Sequence, residues 1–256
     1  MHDLFSISGK TALITGGSRG IGLMIARAYV EHGAKVYISS RKAEVCNDAA
    51  AELSEHGECI ALPADLSQMS EVERIVGEIT ERENQLDVLI NNAGATWGGS
   101  IDEFPEKGWD KVMDLNVKSL FFLTQKLLPL LEAAASAIDP ARVINIGSVD
   151  GLHVTMFENF SYSASKAAVH HLTKMTATRL ASRNITVNSI APGPFETPMM
   201  APMIEQMGES IRSAVPLQRF GQPDDMGGLA VFLAARASAY ITGTVIPLDG
   251  GVAGAS

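Results

Sequence analysis

Tyr162 and Lys166 stand four residues apart in Ser161-Tyr-Ser-Ala-Ser-Lys166, within a stretch of helical character, so they share one helix face. A phenol ionises near pH 10 (about 10 in water) and is a poor acid-base group at neutrality. A lysine ammonium close by favours the phenolate and lowers that pKa. Such a tyrosine can exchange a proton with a carbonyl or hydroxyl oxygen while hydride passes to or from a nicotinamide. Ser148, closing the apolar run Arg142-Val-Ile-Asn-Ile146, can hold the same oxygen, and Asn116 could bind a water that links Lys166 to solvent. On spacing alone, Tyr162 and Lys166 read as ordinary surface packing. Their company in the chain gives them a second reading.

The first companion is Thr11 to Gly33, an apolar run, a glycine turn and a helix. Thr15 to Gly22 reads T-G-G-S-R-G-I-G, and behind it Ile21, Ile25, Ala28 and Tyr29 recur at helical spacing. Glycines let backbone approach a pyrophosphate, and the helix N-terminus supplies amide donors. The turn is not a phosphate loop of the Walker type, because Leu4 stands five residues before Gly9, where that pattern requires glycine. The second run, Lys35-Val-Tyr-Ile-Ser39, continues Ser40-Arg41-Lys42, with no carboxylate until Glu44. An NAD site places an acidic group there. Cations in its stead, with Arg19 in the turn, suit a 2′-phosphate and so NADP(H). Asp65, after the third strand, could meet an adenine edge or cap the next helix.

Strands are expected near 11–15, 35–39, 59–62, 86–90, 142–146, 185–190 and 245–248, with helical segments between them. That order predicts an α/β fold: a single Rossmann-type, doubly wound domain over residues 1–256, with a seven-stranded parallel sheet and helices on both faces. Pro129 should kink or break the helical run 107–135, and Ser70 with Glu73 has capping-box spacing, though that helix could start at Ser67. Residues 193–216 carry Met199, Met200, Met203 and Met207 and read as a lid-like loop with short helices beyond the sixth strand. With Met156 and Phe157 these form an adaptable apolar wall or an interface.

Thr15-Gly16-x-x-x-Gly20-x-Gly22, Asn91-Asn-Ala-Gly94, Asn116, Ser148, Tyr162-x-x-x-Lys166, Pro192-Gly193 and Thr197 together resemble the short-chain dehydrogenase/reductase family over residues 11–251. The resemblance implies a catalytic tetrad of Asn116, Ser148, Tyr162 and Lys166. It implies cofactor contacts from Gly16, Ser18, Arg19, Gly20, Ile21 and Gly22 in the turn. Further contacts are Ser40 and Arg41, then Asp65 and Leu66, then Asn92, Ala93 and Gly94. Pro192, Gly193 and Thr197 would hold the nicotinamide, with Tyr162 and Lys166 beside its ribose. Family members are commonly tetramers, joined by long helices and by segments like Thr242–Gly251.

Gly16–Gly22, Trp97, Leu127–Leu131, Pro140–Val149 and Val245–Gly251 make the chain similar, within the family, to NADPH-dependent β-ketoacyl reductases, including the branch associated with bacterial rhamnolipid synthesis. That implies reduction of a carbonyl, chiefly a 3-oxoacyl thioester. Gluconate 5-dehydrogenase and other NADP-dependent sugar or polyol dehydrogenases share most of these features. A non-catalytic NADP(H)-binding regulator is the reading from another class, against which the intact tetrad argues.

A net charge of −9 and a pI near 5.1 argue against a nucleic-acid surface. No apolar stretch is long enough for a bilayer, and the N-terminus lacks a signal-peptide pattern, so a cytoplasmic location is expected. Cys46 and Cys59 form no C-x-x-C motif, which fits a reducing compartment. The six histidines make no ligand pattern, so no metal is expected. His170 and His171 point to different sides of their helix, and His153, between Ser148 and Tyr162, could touch substrate or, on the plainer reading, face solvent on a loop.

Overall fold

The computed structural model describes residues 4–155 and 157–254. Seven strands form one sheet in the order β3-β2-β1-β4-β5-β6-β7, parallel throughout. They are β1 (Thr11–Thr15), β2 (Lys35–Ser39), β3 (Cys59–Ala61), β4 (Val88–Asn91), β5 (Ala141–Ile146), β6 (Ile185–Pro192) and β7 (Val245–Leu248). The central strands are buried along their whole length, as a sheet covered on both faces requires. Alternate side chains serve opposite cores. Ala12 and Ile14 of β1 join one apolar cluster, and Leu13 joins the other.

The first cluster is closed by α1 (Gly20–Glu31), α2 (Ala43–Leu53) and α8 (Pro223–Ala234), through Ile25, Tyr29, Leu53, Met226 and Ala230. The second is closed by α3 (Met69–Arg82), α5 (Ser119–Ala134) and α6 (Phe160–Leu180), through Val72, Ile79, Leu123, Leu127 and Leu180. Chain order reverses between β1 and β4, so the crevice beyond their C-terminal ends is where an open α/β sheet binds ligands.

Two local expectations are corrected. The helical run from α4 (Glu106–Met113) to α5 does not break at Pro129, which lies inside α5. Pro129 and Gln125, whose carbonyl loses its partner, are both exposed, so water replaces the missing bond. The irregularity falls earlier, in a π-helical turn at Asp114–Lys118. The proposed capping box does not form: α3 starts at Met69, and its N-cap, Gln68, makes no side-chain cap bond. Residues 193–216 do carry short helices, as expected: α7 (Ala201–Ala214) is two helical segments joined across a kink at Met207.

A buried polar chain fixes α5 and α6 to the sheet. Asn91 Nδ2 donates to Thr124 Oγ1 of α5 at 3.0 Å and to Asn145 Oδ1 at 2.9 Å. Asn145 Nδ2 then donates to Thr173 Oγ1 of α6 at 2.9 Å. Asn91 and Asn145 are register partners in β4 and β5, so parallel pairing places the two amides side by side. Hydrogen bonds inside a buried network are costly to break, which holds α6 at one height relative to the strand ends.

Candidate active site

The strand ends open into a cavity of about 930 Å³. At one end the turn after β1 meets the Asn91–Gly94 segment. Thr15 Oγ1 donates to the Ile90 carbonyl and accepts from the backbone amides of Asn92 and Ala93, each at 2.9 Å. Asn92 Nδ2 donates to the carbonyls of Thr15 and Gly16. Gly16 is left-handed at φ +67°, and a Cβ there would lie 2.7 Å from Asn92 Nδ2. Gly22 lies beneath the turn, where a Cβ would meet the Gly16 carbonyl at 2.3 Å; its part is to let α1 pack close rather than to line the cavity. α1 begins with no side-chain cap and no acidic residue in its first turn. Its N-terminal amides and dipole are thereby left for an anion.

Ser39, Ser40, Arg41 and Lys42 line the same end. The hydroxyls of Ser39 and Ser40 are buried and have no hydrogen-bond partner. Unpaired buried hydroxyls beside two cations suit a phosphate ester better than a ribose diol held by a carboxylate. Ala64 and Leu66 line the adjoining wall. Asp65, between them, accepts from Ser67 N and Ser67 Oγ in a turn before α3, and neither caps the helix nor lines the cavity. Pro192, Gly193 and Thr197 line the cavity past β6. The residues thus fit a dinucleotide carrying a 2′-phosphate.

Ser148, Tyr162 and Lys166 meet midway along the cavity. The turn after β5 is pressed onto α6: a Cβ on Gly151 would lie 2.7 Å from the Ala167 amide, and one on Gly147 would lie 2.1 Å from His170 Nε2. This contact sets Ser148 beside Tyr162 on the cavity wall. Ser148 Oγ accepts from Asp150 N at 3.1 Å. Lys166 is buried, donates to the Ile146 carbonyl at 2.8 Å and lies 5.4 Å from the Tyr162 ring centroid.

Burial pushes the Tyr162 phenol up to about 12, against a downward pull from the Ser148 hydroxyl and with a further rise from Asp150. Lys166 does not supply the lowering that its spacing from Tyr162 suggests. Burial brings Lys166 itself down to about 8, with Asp150 opposing, so its ammonium is readily deprotonated.

Asn116 does not line the cavity. It sits in the π-helical turn, where Oδ1 accepts from Ala95 N at 2.8 Å and Nδ2 donates to the Ala95 carbonyl and to Ser165 Oγ. It joins the loop after β4 to α6 one residue before Lys166. A π turn leaves backbone groups outside the regular ladder and often marks a functional position.

Asp150, His153, Val154, Phe157 and Asn159 line the far side of the cavity, opposite Met199, Met200, Met203 and Met207. His153 is half-buried there, not solvent-facing, with Nδ1 unpaired. Met156 lies outside the described residues. Trp97 packs over Gly108 beneath Lys107 and Lys111 instead of lining the cavity. Sequence reasoning placed the loop from Asp150 to Phe160 beside the substrate without giving Asp150 a role of its own, and it missed His170. The signal for Asp150 was its place two residues after Ser148; that for His170 was its place one helical turn after Lys166.

A family profile described as Enoyl-(Acyl carrier protein) reductase matches residues 16–253. The chain is 48% identical over 253 residues to the rhamnolipids biosynthesis 3-oxoacyl-[acyl-carrier-protein] reductase of Pseudomonas aeruginosa, covering 98% of this chain and 99% of that protein. The structure described as the Pseudomonas aeruginosa RhlG/NADP active-site complex superposes with a TM-score of 0.96 at 48% identity, covering 99% of this chain and 100% of that one. This chain belongs to the short-chain dehydrogenase/reductase family. Gluconate 5-dehydrogenase of Gluconobacter oxydans is 35% identical over 256 residues, covering 98% of this chain and 97% of that protein. As a member of this family the chain is an oxidoreductase. Among the described residues no helix is long and apolar enough to cross a membrane, and no three His, Cys, Asp or Glu side chains are placed to hold a metal.

His170 gives the site an acid-sensitive support. Its Nε2 accepts from Ser148 N at 3.4 Å, and burial lowers its pKa from 6.5 to about 4. Between those values the unfolded chain binds a proton that the folded chain refuses, so stability falls as pH drops through this window, by about 3 kcal/mol in all. In His170→Gln that share of the acid dependence should vanish. Urea midpoints measured from pH 7 to pH 4 check it; parallel curves for the two proteins would refute it.

Proposed function

We propose that the protein is an NADP(H)-dependent reductase of 3-oxoacyl thioesters. One observation carries this reading: a continuous cavity runs from Ser40, Arg41 and Lys42, past Ser148 and Tyr162, to a wall of four methionines. The cofactor, when bound, supplies the hydride. The Ser148 hydroxyl holds the ketone oxygen, and Tyr162 Oη delivers the proton that turns it into a hydroxyl. Lys166 Nζ, beside the ring, steadies the phenolate left behind and contacts the cofactor ribose. Asn116 positions α6 through Ser165 and serves the proton path to solvent.

Around the dinucleotide, Gly16, Ser18, Arg19, Gly20 and Ile21 take the pyrophosphate, with Gly22 supporting the turn. Ser40 and Arg41 hold the 2′-phosphate, and Leu66 covers the adenine. Asn92, Ala93 and Gly94 line the ribose side. Pro192, Gly193 and Thr197 hold the nicotinamide. α7 acts as a lid. None of its residues is buried, and it is tied at its start by the Thr197 hydroxyl and carbonyl, which accept from Met200 N. The domain is single, and the working form is a cytoplasmic homotetramer. Exposed Trp109, Phe121 and Met175 on α4, α5 and α6, together with the half-exposed edge strand β7, support the assembly. Two free, buried cysteines support the compartment.

The wall decides the substrate. A sugar acid needs partners for every buried hydroxyl. Of the lid segment, Met199, Met200, Met203 and Met207 line the cavity with Thr197 and Ser210, whereas Glu196, Glu205 and Gln206 do not. An acyl chain gains about 0.8 kcal/mol per methylene buried there. With NADPH, kcat/KM should be higher for 3-oxoacyl thioesters than for 5-ketogluconate, and should rise with chain length. Efficient turnover of 5-ketogluconate without thioester activity would sink this reading and promote the polyol dehydrogenase suggested by the gluconate 5-dehydrogenase relative.

A further inference from the structure

The cavity carries charge in a lopsided way. Arg19, Arg41 and Lys42 line the cofactor end, and Lys166 lies at the middle. Among the described residues lining it, Asp150 is the only carboxylate, and it stands on the substrate side. Its backbone N–H is bonded to Ser148 Oγ, so the residue is fixed two positions from a group that holds the reacting oxygen. Its carboxylate is fixed as well. Oδ2 accepts from Asn159 Nδ2 at 2.9 Å, and Asn159 Oδ1 accepts in turn from Ser163 Oγ at 2.8 Å on the first turn of α6. Asn159 lines the cavity too. No lysine or arginine is bonded to Asp150, and the other titratable residue lining that side is His153.

We propose that Asp150 is a specificity-determining residue that excludes substrates bearing a negative charge next to the reacting ketone, and so selects esterified 3-oxo acids over the free acids. This rests on the reductase reading of the site and deepens it. A fixed like charge on the cavity wall opposes an incoming anion, while an ester or thioester of the same acid feels no such opposition. The field of Asp150 reaches both Tyr162 and Lys166, which places it within range of the reacting oxygen.

The test compares matched pairs at saturating NADPH: acetoacetate with ethyl acetoacetate, and 2-ketogluconate with fructose. The ratio of kcat/KM, neutral over anionic, is read for wild type, Asp150→Asn and Asp150→Ser at low and high salt. Removing the charge should lower the ratio about tenfold. In wild type the ratio should fall as salt rises, because screening weakens repulsion; in both variants it should be nearly flat. A merely structural role would lower both members of a pair alike and leave the salt response unchanged. An unchanged ratio in both variants overturns the proposal. Failure of the reductase reading is separable: it appears as turnover confined to the sugar pair, and the charge ratio of that pair still decides the role of Asp150.

Discussion

Tyr162→Phe should lower kcat with a 3-oxoacyl thioester by about a thousandfold, within the range that a positioned general acid supplies. NADPH binding should change little. Phenylalanine keeps the ring that lies 5.4 Å from Lys166 Nζ, so the packing of α6 against the strand ends is retained and only the hydroxyl is lost. Lys166→Ala should differ in kind. It removes a buried ammonium bonded to the Ile146 carbonyl and placed beside the ribose position, so both turnover and cofactor affinity should suffer. Steady-state kinetics with a fluorescence titration of NADPH separates the two patterns. Wild-type turnover in Tyr162→Phe would falsify its role as the acid.

Arg41→Ala should lower kcat/KM with NADPH by about ten- to a hundredfold, the loss of a charge-assisted hydrogen bond to phosphate. The value with NADH should stay near wild type, because NADH offers nothing for Arg41 to hold. Two observations set this expectation. Arg41 lines the cavity beside Ser40, whose buried hydroxyl has no protein partner. No carboxylate lines that end to claim a ribose diol. Both cofactors tested with both proteins decide it. An equal fall for each would remove Arg41 from the phosphate site, and a wild-type preference for NADH would overturn the cofactor reading.

The sheet was legible because each strand is a short apolar run between turn residues; β2 and β7 fall where those runs lie. The glycine turn was legible because a left-handed Gly16 and a crowded Gly22 leave no other residue type room. What escaped depends on partners distant in sequence. An aspartate before a helix looks the same whether it caps that helix or, as Asp65 does, binds Ser67. A proline in a helical pattern does not reveal that the freed carbonyl faces water. The π turn has no periodicity of its own. The high pKa of Tyr162 comes from burial that only the packed turn after β5 creates. His153 and Asp150 face the cavity because the loop they sit on folds back along α6, which spacing cannot express.

The π-helical turn makes the count of residues between β4 and β5 matter in its own right. A helix advances about 100° per residue, so one residue taken up in a wider turn rotates everything after it by that angle. Upstream, α4 presents Gly108 to Trp97; downstream, α5 presents Thr124 to Asn91. Both faces are correct only at this phase, with Asn116 at the point of slippage. Exchanging exposed side chains along Glu106–Ala134 leaves the phase untouched. Deleting one residue within the wide turn would leave a regular helix with both faces in phase but without the turn that holds Asn116, whereas inserting one elsewhere along the run would turn one face away from its partner.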